Sequence, residues 1–416
     1  MSRGLQADTE LLVVAVEASG DLHGAAVLRA LHALRPGLQA FGAAGPLLRA
    51  EGCEALVRAE TLGVMGIAEV IPALPRLLRA LWLLGRAARE RRPRVALLID
   101  SPDFNLRLAK RLRRAGVKVV YFIGPSVWAW RTYRVRQIAR DVARMLVILP
   151  FEAEFYARHG VRATYVGNPL ADRLLPAPAP AVCASAPPVP GALPSALAVA
   201  PPAPDRAALK SALGLDPRRP LLALLPGSRR QEIRRLWRPL LEAARLLLAD
   251  HPGLQLAVPV APSLDRGPLE ALAAAVGVTP VFVLGRAPEV LAAADAAAVA
   301  AGTATLEAGL TGTPMVVVYK TSWLTWLIGR LLVRVRFVSL VNLLAGRALV
   351  PELLQRACTP QAIAQALRPL LDGGPVREAQ ERGLLEVRAL VAPPGAEHAA
   401  ARAAAEVLAE LDEGGA

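Results

Sequence analysis

The sequence predicts an α/β protein of two Rossmann-like, doubly wound domains that face a central cleft. Three features predict this fold: the length of the chain, a rhythm of apolar runs in both halves, and a proline-rich break between them. With 416 residues the chain exceeds one ordinary hydrophobic core. Two domains of about 150 to 200 residues are therefore expected.

The apolar runs of Val, Leu and Ile are each followed by a polar turn and an Arg-bearing segment of helical period. Such runs are typical of parallel sheets covered by helices. They span residues 11–16, 94–99, 117–123, 145–149, 220–225, 254–260, 280–284, 296–299 and 315–318. Because doubly wound domains bind ligands at the carboxyl ends of their strands, functional residues are expected there.

The break between the halves, residues 174–204, carries ten prolines and no charged side chain. This composition is typical of an extended linker and excludes a membrane-spanning helix. The Ala- and Glu-rich residues 395–412 are expected to form a closing helix. The predicted organisation is an N-terminal domain at 1–173, a linker at 174–207, a second domain at 208–375 and a C-terminal helical segment at 376–416.

The charge balance is basic, since Lys and Arg outnumber Asp and Glu by 49 to 35 and give a net charge of +14. An anionic partner is favoured, and a phosphate-bearing ligand, an anionic lipid and nucleic acid all stay open. The distant Cys53, Cys183 and Cys358 argue against disulfides or zinc, so no metal is expected. The apolar run before Glu17 is too short for a signal peptide, and a cytoplasmic location is expected.

Two strand ends in the first half carry carboxylates. EASGDLHGA, at residues 17–25, places Glu17, Ser19 and Asp21 where a helix beginning near Asp21 would offer backbone N–H groups to an anion or a substrate. A turn with an Asp cap is more often structural than functional.

The second of these ends is LLIDSPDFN, residues 97–105. It closes a buried run with Asp100 and Asp103, and Pro102 between them turns the chain. Composition and spacing alone do not assign different roles to the two carboxylates.

In the second half, LALLPGSRRQEIRRL at residues 222–236 stops a strand before Gly227, which allows close approach of a ligand. Ser228 is a candidate cap for the next helix, and Arg229 carries a guanidinium suited to phosphate. The alternative is an ordinary capped helix with a solvated basic face.

AAGTATLEAGLTGTP, at residues 300–314, places Gly302 and Thr303 at another helix start and Glu307 one turn inside it. A carboxylate there could accept both hydroxyls of a ribose. Two helix starts suited to anions suggest a nucleotide diphosphate, although a lone Glu on a helix is usually just solvated.

Two basic stretches, residues 74–92 and 323–336, mix Leu and Trp with several Arg and are typical of helices that bind an anionic membrane surface without spanning it. Core-facing helices with Arg edges are the alternative. The residues expected to face the membrane are Leu78, Leu81, Trp82, Trp323 and Trp326.

Nine motifs follow one another along the chain: VEASGDLHGA, GVMGIAEV, IDSPDFN, GPSVWAWR, LPFE, GNPLAD, LPGSR, AGTATLEAGLTGTPMVVVYK and VSLVNLLAGRALVPELLQ. In this order they resemble the motifs of the lipid-A-disaccharide synthase family, over nearly the whole length apart from the linker.

The resemblance implies a GT-B glycosyltransferase that is inverting, metal-independent and without a cofactor. It would join UDP-2,3-diacylglucosamine to 2,3-diacylglucosamine 1-phosphate through a β-1,6 linkage and release UDP. It would act peripherally at the cytoplasmic face of the inner membrane, on an anionic surface and with no nucleic acid as partner. Acyl-chain length stays open, as does a homodimer.

The resemblance also implies different roles for the two carboxylates of IDSPDFN. Asp100 matches the essential aspartate of the family and is expected to act as general base toward the acceptor hydroxyl. Asp103 is expected to cap the helix that begins at Phe104 and Asn105.

For the UDP-sugar, the resemblance implies a binding set of Arg229, Gly302, Thr303, Glu307 and Asn342. Arg229 would stabilise the leaving diphosphate, which Gly302 and Thr303 would line. Glu307 fits a ribose-binding carboxylate, and Asn342 matches an asparagine needed for activity.

The chain departs from the family pattern at Val341, where proline is usual, and at Ala301, where serine is common. Two rival functions make different demands on these motifs. A GT-B enzyme acting on another UDP-amino sugar would not share both IDSPDFN and PSVWAWR. A basic membrane or nucleic-acid binding protein without catalysis would not need Asp100.

Overall fold

The computed structural model describes residues 10–62, 67–175, 205–262, 264–323, 326–327, 329, 335–393 and 397–413, with the backbone alone at 67–73. The chain divides into two compact units, residues 1–169 with 396–416 and residues 170–395. Residues 176–204, most of the predicted linker, lie outside the described residues.

The first unit contains a parallel sheet of seven strands. Its strands are β1 (Glu10–Ala15), β2 (Gln39–Ala44), β3 (Glu54–Arg58), β4 (Val95–Ile99), β5 (Lys118–Phe122), β6 (Arg144–Val147) and β7 (Ala163–Tyr165). Its helices up to β7 are α1 (Ala18–Leu34), α2 (Pro46–Ala50), α3 (Ile67–Arg91), α4 (Pro102–Arg114), α5 (Val135–Asp141) and α6 (Pro150–Ala157). The order across the sheet is β3-β2-β1-β4-β5-β6-β7.

Alternate residues of one strand pack on opposite faces of this sheet, as the period of two requires. Leu12 of β1 joins a buried cluster with Leu84 of α3, whereas its neighbour Leu11 joins another with Leu28 of α1. Since both faces are covered, the central strands are mostly apolar, which is why their runs stand out in the sequence.

The second unit contains a parallel sheet of six strands. Its strands are β8 (Leu221–Leu225), β9 (Gln255–Val260), β10 (Val281–Leu284), β11 (Ala296–Ala300), β12 (Met315–Tyr319) and β13 (Glu352–Leu354). The helices from the unit boundary onward are α7 (Pro169–Leu174), α8 (Arg206–Ala212), α9 (Arg230–Asp250), α10 (Gly267–Val276), α11 (Ala287–Ala293), α12 (Thr303–Leu310), α13 (Leu340–Ala345), α14 (Pro360–Leu371) and α15 (Pro375–Val391). The sheet order is β10-β9-β8-β11-β12-β13.

The last helix, α16 (Ala399–Asp412), returns to the first unit. Ala403 and Val407 are buried in the cluster that contains Leu28, and Arg144 Nε of β6 donates to Glu410 Oε1 at 2.8 Å. The predicted closing helix is confirmed. The predicted C-terminal segment is nevertheless divided, because α15 packs in the second unit and α16 in the first.

All nine predicted runs form strands, and the two-domain α/β prediction is confirmed. The sequence did not reveal β2, β3, β7 and β13. β2 is rich in Ala and Gly, β3 is partly exposed, and β7 and β13 have only three residues each, so none carries a long apolar run.

Both sheets reverse their strand order once. The reversal lies between β1 and β4 in the first unit and between β8 and β11 in the second. At such a switch point the two adjacent connections leave in opposite directions and open a crevice, which is where doubly wound domains bind ligands.

Candidate active site

The switch point of the first unit brings two predicted strand ends together. Glu17 follows β1, Asp100 and Ser101 follow β4, and Ser101 Oγ donates to Glu17 Oε1 at 3.2 Å. Asp100 lies one residue beyond β4, and its N–H still makes a hydrogen bond to β5, donating to Phe122 O at 3.0 Å. Glu17 and Asp100 are therefore neighbours, as the pairing of β1 with β4 requires.

The environment of Asp100 shifts the pKa of its carboxyl upward from the ordinary value. Burial raises the pKa of the carboxyl, and the charge of Glu17 acts in the same direction, while the backbone N–H of Ser101 acts against both. A partly buried carboxyl with a raised pKa at the carboxyl end of a strand is suited to accept a proton from a hydroxyl.

Asp21 and Ser19, the other residues predicted at this turn, are placed differently. α1 begins before Asp21 rather than near it. The buried Asp21 carboxylate accepts N–H bonds from Gly45 at 2.8 Å, Leu47 at 2.8 Å and Leu48 at 3.1 Å. Asp21 thus caps α2 and fixes the connection that follows β2, whereas the Ser19 side chain is exposed at the start of α1.

The predicted cap role of Asp103 is wrong. α4 begins at Pro102, and its N-cap residue, Ser101, makes no side-chain cap. The exposed Asp103 carboxylate instead accepts from Arg134 Nη2 at 2.5 Å and from Arg131 Nη1 at 3.5 Å. Asp103 therefore ties the segment that follows β5 to α4.

Sequence reasoning missed a buried carboxyl in the motif LPFE. Glu152 is 3% exposed. Trp128 Nε1 donates to its Oε1 at 2.9 Å, and the N–H groups of Leu149 and Ile148 donate to its Oε2 at 3.1 and 3.3 Å. Burial raises the pKa of Glu152 to about 7, although these three donors act to lower it. Trp128 stands in GPSVWAWR, but only the fold brings the two motifs together.

At the switch point of the second unit, the first of the two turns is the one that follows β8. Gly227 has φ of +103°, and a Cβ there would lie 2.3 Å from Glu232 Oε2. Glu232 Oε2 accepts N–H bonds from Ser228 and Arg229, both at 3.2 Å. Glu232 rather than Ser228 therefore caps α9, and the cap prediction for Ser228 is corrected.

Arg229 stands at the start of α9 with its side chain 83% exposed. Its Nη1 lies 3.1 Å from Glu232 Oε1. Farther along the helix, Arg234 and Arg235 line a surface pocket of about 310 Å³ with Gln231. The beginning of α9 thus carries an accessible cluster of guanidinium groups, which suits an anionic ligand.

The neighbouring turn, after β11, places Gly302 before α12 with φ of +152° and ψ of −160°, a conformation open to glycine alone. Gly302 and Thr303 are exposed, and Glu307 lies one turn inside. Burial raises the pKa of Glu307, and Arg173 at 3.6 Å acts to lower it. β8 and β11 are paired, so the α9 and α12 starts lie at adjacent strand ends.

Asn342 of α13 is fully buried, and its amide is occupied by internal bonds. Nδ2 donates to Val350 O and Glu352 Oε1, both at 2.9 Å. Oδ1 accepts from the N–H groups of Leu349 at 2.8 Å and Val350 at 2.9 Å. The amide therefore anchors the chain after α13. Val341 beside it is also fully buried.

Glu352 is a second residue that sequence reasoning missed. Its carboxylate accepts from Val338 N, Ser339 N and Asn342 Nδ2, each at 2.9 Å, and from Ser339 Oγ at 2.8 Å. Leu340 N donates to Thr305 Oγ1 of α12 at 3.3 Å. Asn342 and Glu352 thus fix the start of α13 against α12.

The α3 helix presents an apolar strip with basic edges. Leu78 and Trp82 are exposed, and the Arg86 guanidinium lies 5.5 Å from the Trp82 ring. Leu81 is buried in the core, so its predicted membrane-facing position is wrong. At 3.6 residues per turn, Leu81 lies about 100° around the helix from Trp82 and about 60° from Leu78, which turns its side chain from the exposed strip toward the core.

Trp323 is 75% exposed and Trp326 is partly buried. More than half of the second predicted basic stretch, residues 323–336, lies outside the described residues. Within the part of the chain that the structure describes, no helix has the length and apolar character needed to cross a membrane.

Comparison with known proteins identifies the family. A family model described as lipid-A-disaccharide synthetase matches residues 11–185 and 197–406. The lipid-A-disaccharide synthase of Anaeromyxobacter dehalogenans (strain 2CP-C) is 51% identical over 400 residues, 96% of this chain and 97% of the relative. That of Myxococcus xanthus (strain DK1622) is 49% identical over 405 residues, 97% and 98% of the two chains.

Solved structures support the fold. CalG4, the calicheamicin glycosyltransferase, has a TM-score of 0.55 at 16% identity, covering 98% of this chain and 99% of that one. The UDP-GlcNAc 2-epimerase of Neisseria meningitidis bound to UDP-GlcNAc has a TM-score of 0.54 at 10% identity, covering 97% and 100%. The match to the family model and the two close relatives over almost their whole length place this chain in the lipid-A-disaccharide synthase family, as a glycosyltransferase with a GT-B fold that forms the disaccharide of lipid A.

Proposed function

We propose that this enzyme transfers 2,3-diacylglucosamine from its UDP conjugate to the 6-hydroxyl of 2,3-diacylglucosamine 1-phosphate. The anomeric carbon is inverted, a β-1,6 bond forms and UDP leaves. Family membership supports the reaction, and Asp100 at the switch point of the first unit is the structural observation that carries the proposal. Both substrates bear phosphate, which agrees with the net charge of +14.

Asp100 is the proposed general base. It takes the proton of the 6-hydroxyl as that oxygen attacks the anomeric carbon and the bond to UDP breaks. An inverting transfer needs a base on the face opposite the leaving group. The raised pKa of Asp100 supports this role, because a base of higher pKa holds the transferred proton more firmly.

The UDP subsite is proposed at the switch point of the second unit. Arg229 and the backbone N–H groups at Gly302 and Thr303 would bind the diphosphate and stabilise its charge without a metal. Glu307 would accept the ribose hydroxyls, with Arg173 holding its carboxylate. Asn342, whose amide is already occupied, is proposed to position this subsite through its bond to Glu352 rather than to contact the nucleotide.

A peripheral position on the cytoplasmic face of the inner membrane is part of the proposal, since both substrates carry acyl chains. Leu78 and Trp82 would enter the interface, with the arginines of α3 facing anionic lipid. Leu78→Ser combined with Trp82→Ser should reduce cosedimentation with anionic vesicles at low salt. Leu34→Ser, which changes an exposed leucine on α1, should leave it unchanged. Equal binding by all three proteins would contradict this position.

The reaction itself is tested by incubating the purified chain with the two diacylated substrates and EDTA. We expect equal amounts of UDP and disaccharide, and a β configuration at the new bond from the proton coupling of its anomeric carbon. Absence of disaccharide would overturn the proposed reaction. An α product would overturn inversion, and loss of activity in EDTA would overturn metal independence.

A further inference from the structure

The turn that carries Asp100 has an unusual backbone. Asp100 and Ser101 both lie in the left-handed region, with φ of +50° and +44°. Side chains with a Cβ are disfavoured there, and two such residues in succession are rarer still. The strain is confined to the two residues that connect β4 to α4, and it persists only where surrounding bonds over-determine the conformation.

Two buried side chains hold this turn by its main chain. Asn105 Nδ2 donates to Ile99 O at 3.0 Å and to Asp100 O at 2.8 Å. The Tyr121 hydroxyl donates to the same Asp100 O at 2.6 Å. The carbonyl of the strained residue thus accepts two side-chain hydrogen bonds, while its N–H is bound to Phe122 O.

Burying the polar groups that make these bonds costs free energy. Asn105 is fully buried, and its Oδ1 has no hydrogen-bond partner among the described residues. Tyr121 is also fully buried, and its neighbours on β5, Val120 and Phe122, are apolar. Leucine at 105 and phenylalanine at 121 would fill similar volumes without these polar groups.

We propose that Asn105 and Tyr121 are positioning residues that hold Asp100 in its strained conformation and so aim its carboxylate at the acceptor hydroxyl. The direction of a Cα–Cβ bond follows from φ and ψ, and a base works only within hydrogen-bond reach of its proton. Neither side chain touches the substrate in this proposal. The inference rests on the proposed role of Asp100 as the general base.

Tyr121→Phe is the first test, because it removes one hydroxyl and keeps the ring. We expect kcat to fall at least tenfold at saturating substrates, with both KM values within twofold of the parent. The acid limb of the kcat profile against pH should also move, since the surroundings of the carboxyl change. Asn105→Leu should act in the same direction.

Tyr156→Phe is the matched control. Tyr156 is also fully buried in the first unit, but its hydroxyl contacts Pro125 O at 3.3 Å and makes no bond to residue 100. We expect its kcat to stay within twofold of the parent, with a loss of melting temperature comparable to that of Tyr121→Phe. Equal kcat losses in both variants would show a merely structural effect and overturn the proposal.

Asp100→Asn separates this proposal from the one on which it rests. If Asp100→Asn is as active as the parent, both fail. If it is inactive while Tyr121→Phe and Asn105→Leu keep the kcat and pH profile of the parent, the positioning role alone fails. Loss in all three, with Tyr156→Phe active, supports both.

Discussion

The two switch points solve the same topological problem with different residues. In the first unit the turn after β4 is made by Asp100 and Ser101, both strained, and is held by side-chain bonds from the core. In the second unit the turns use Gly227 and Gly302, which adopt positive φ without strain. The proposed base, Asp100, is partly buried, whereas Arg229, Gly302 and Thr303 of the proposed diphosphate site are exposed.

This difference agrees with the two tasks proposed. A base must point in one direction, and its pKa must be raised, so burial and a rigid backbone serve it. A diphosphate has many equivalent oxygens, so accessible guanidinium groups and backbone N–H groups can bind it with little preorganisation. The comparison predicts that variants in the first unit change kcat, whereas variants in the second change donor binding.

The largest effect is expected from Asp100→Asn. The amide cannot accept the proton, so kcat should fall by about 10³-fold, within the range of general-base contributions. Asn tolerates the left-handed region well, so the melting temperature should stay close to that of the parent. Steady-state kinetics and thermal unfolding of the same samples check both parts. A kcat within tenfold of the parent would remove Asp100 as the base.

Arg229→Ala is expected to act mainly on the donor. Loss of a charge-assisted contact to phosphate should lower kcat/KM for the UDP-sugar about 30-fold, equivalent to about 2 kcal/mol. The side chain is 83% exposed, so stability should not change. Arg238→Ala, on the same helix and paired with Glu242 at 3.3 Å, is the control and should match the parent. If both variants lose donor affinity equally, general charge rather than position explains the effect.

Much of the fold could be predicted from sequence because buried parallel strands leave long apolar runs. The candidate site could be predicted only in part. The motif IDSPDFN predicts a role for Asp100. Tyr121 lies in an apolar run that predicts only a buried strand, and it is the pairing of β5 with β4 that brings its hydroxyl to Asp100 O. The motif of Asn342 implies a place in the nucleotide subsite, but it does not show that the Asn342 amide donates to Val350 O and Glu352 Oε1.

Glu152→Gln tests whether a second buried carboxyl of the first unit also has a raised pKa, which would make the free energy of unfolding depend on pH. Burial raises the folded pKa of Glu152 from 4.5 to about 7. The folded state therefore binds the proton more tightly, and this stability is full below pH 4.5 and is lost as the pH rises through 7. Between pH 5 and pH 8 the parent should lose about 2 kcal/mol that the variant does not lose.

Urea unfolding of both proteins at the two pH values measures this difference. Glu154→Gln, an exposed glutamate on the same helix that pairs with Arg158, should follow the parent. A Glu152→Gln protein with the same pH dependence as the parent would show that the carboxyl is ionised in the folded state throughout this range.

The smallest effect is expected at Ser101, where two substitutions isolate backbone strain. Ser101→Ala and Ser101→Gly both lose the hydroxyl bond to Glu17, so their difference reports the backbone alone. With φ of +44°, Ser101→Gly should be more stable than Ser101→Ala by about 1 kcal/mol, since glycine avoids the left-handed penalty. Thermal unfolding checks this order, and the reverse order would mean that the turn is unstrained. Because relaxed strain also frees Asp100 to reorient, the more stable glycine variant should be the slower enzyme.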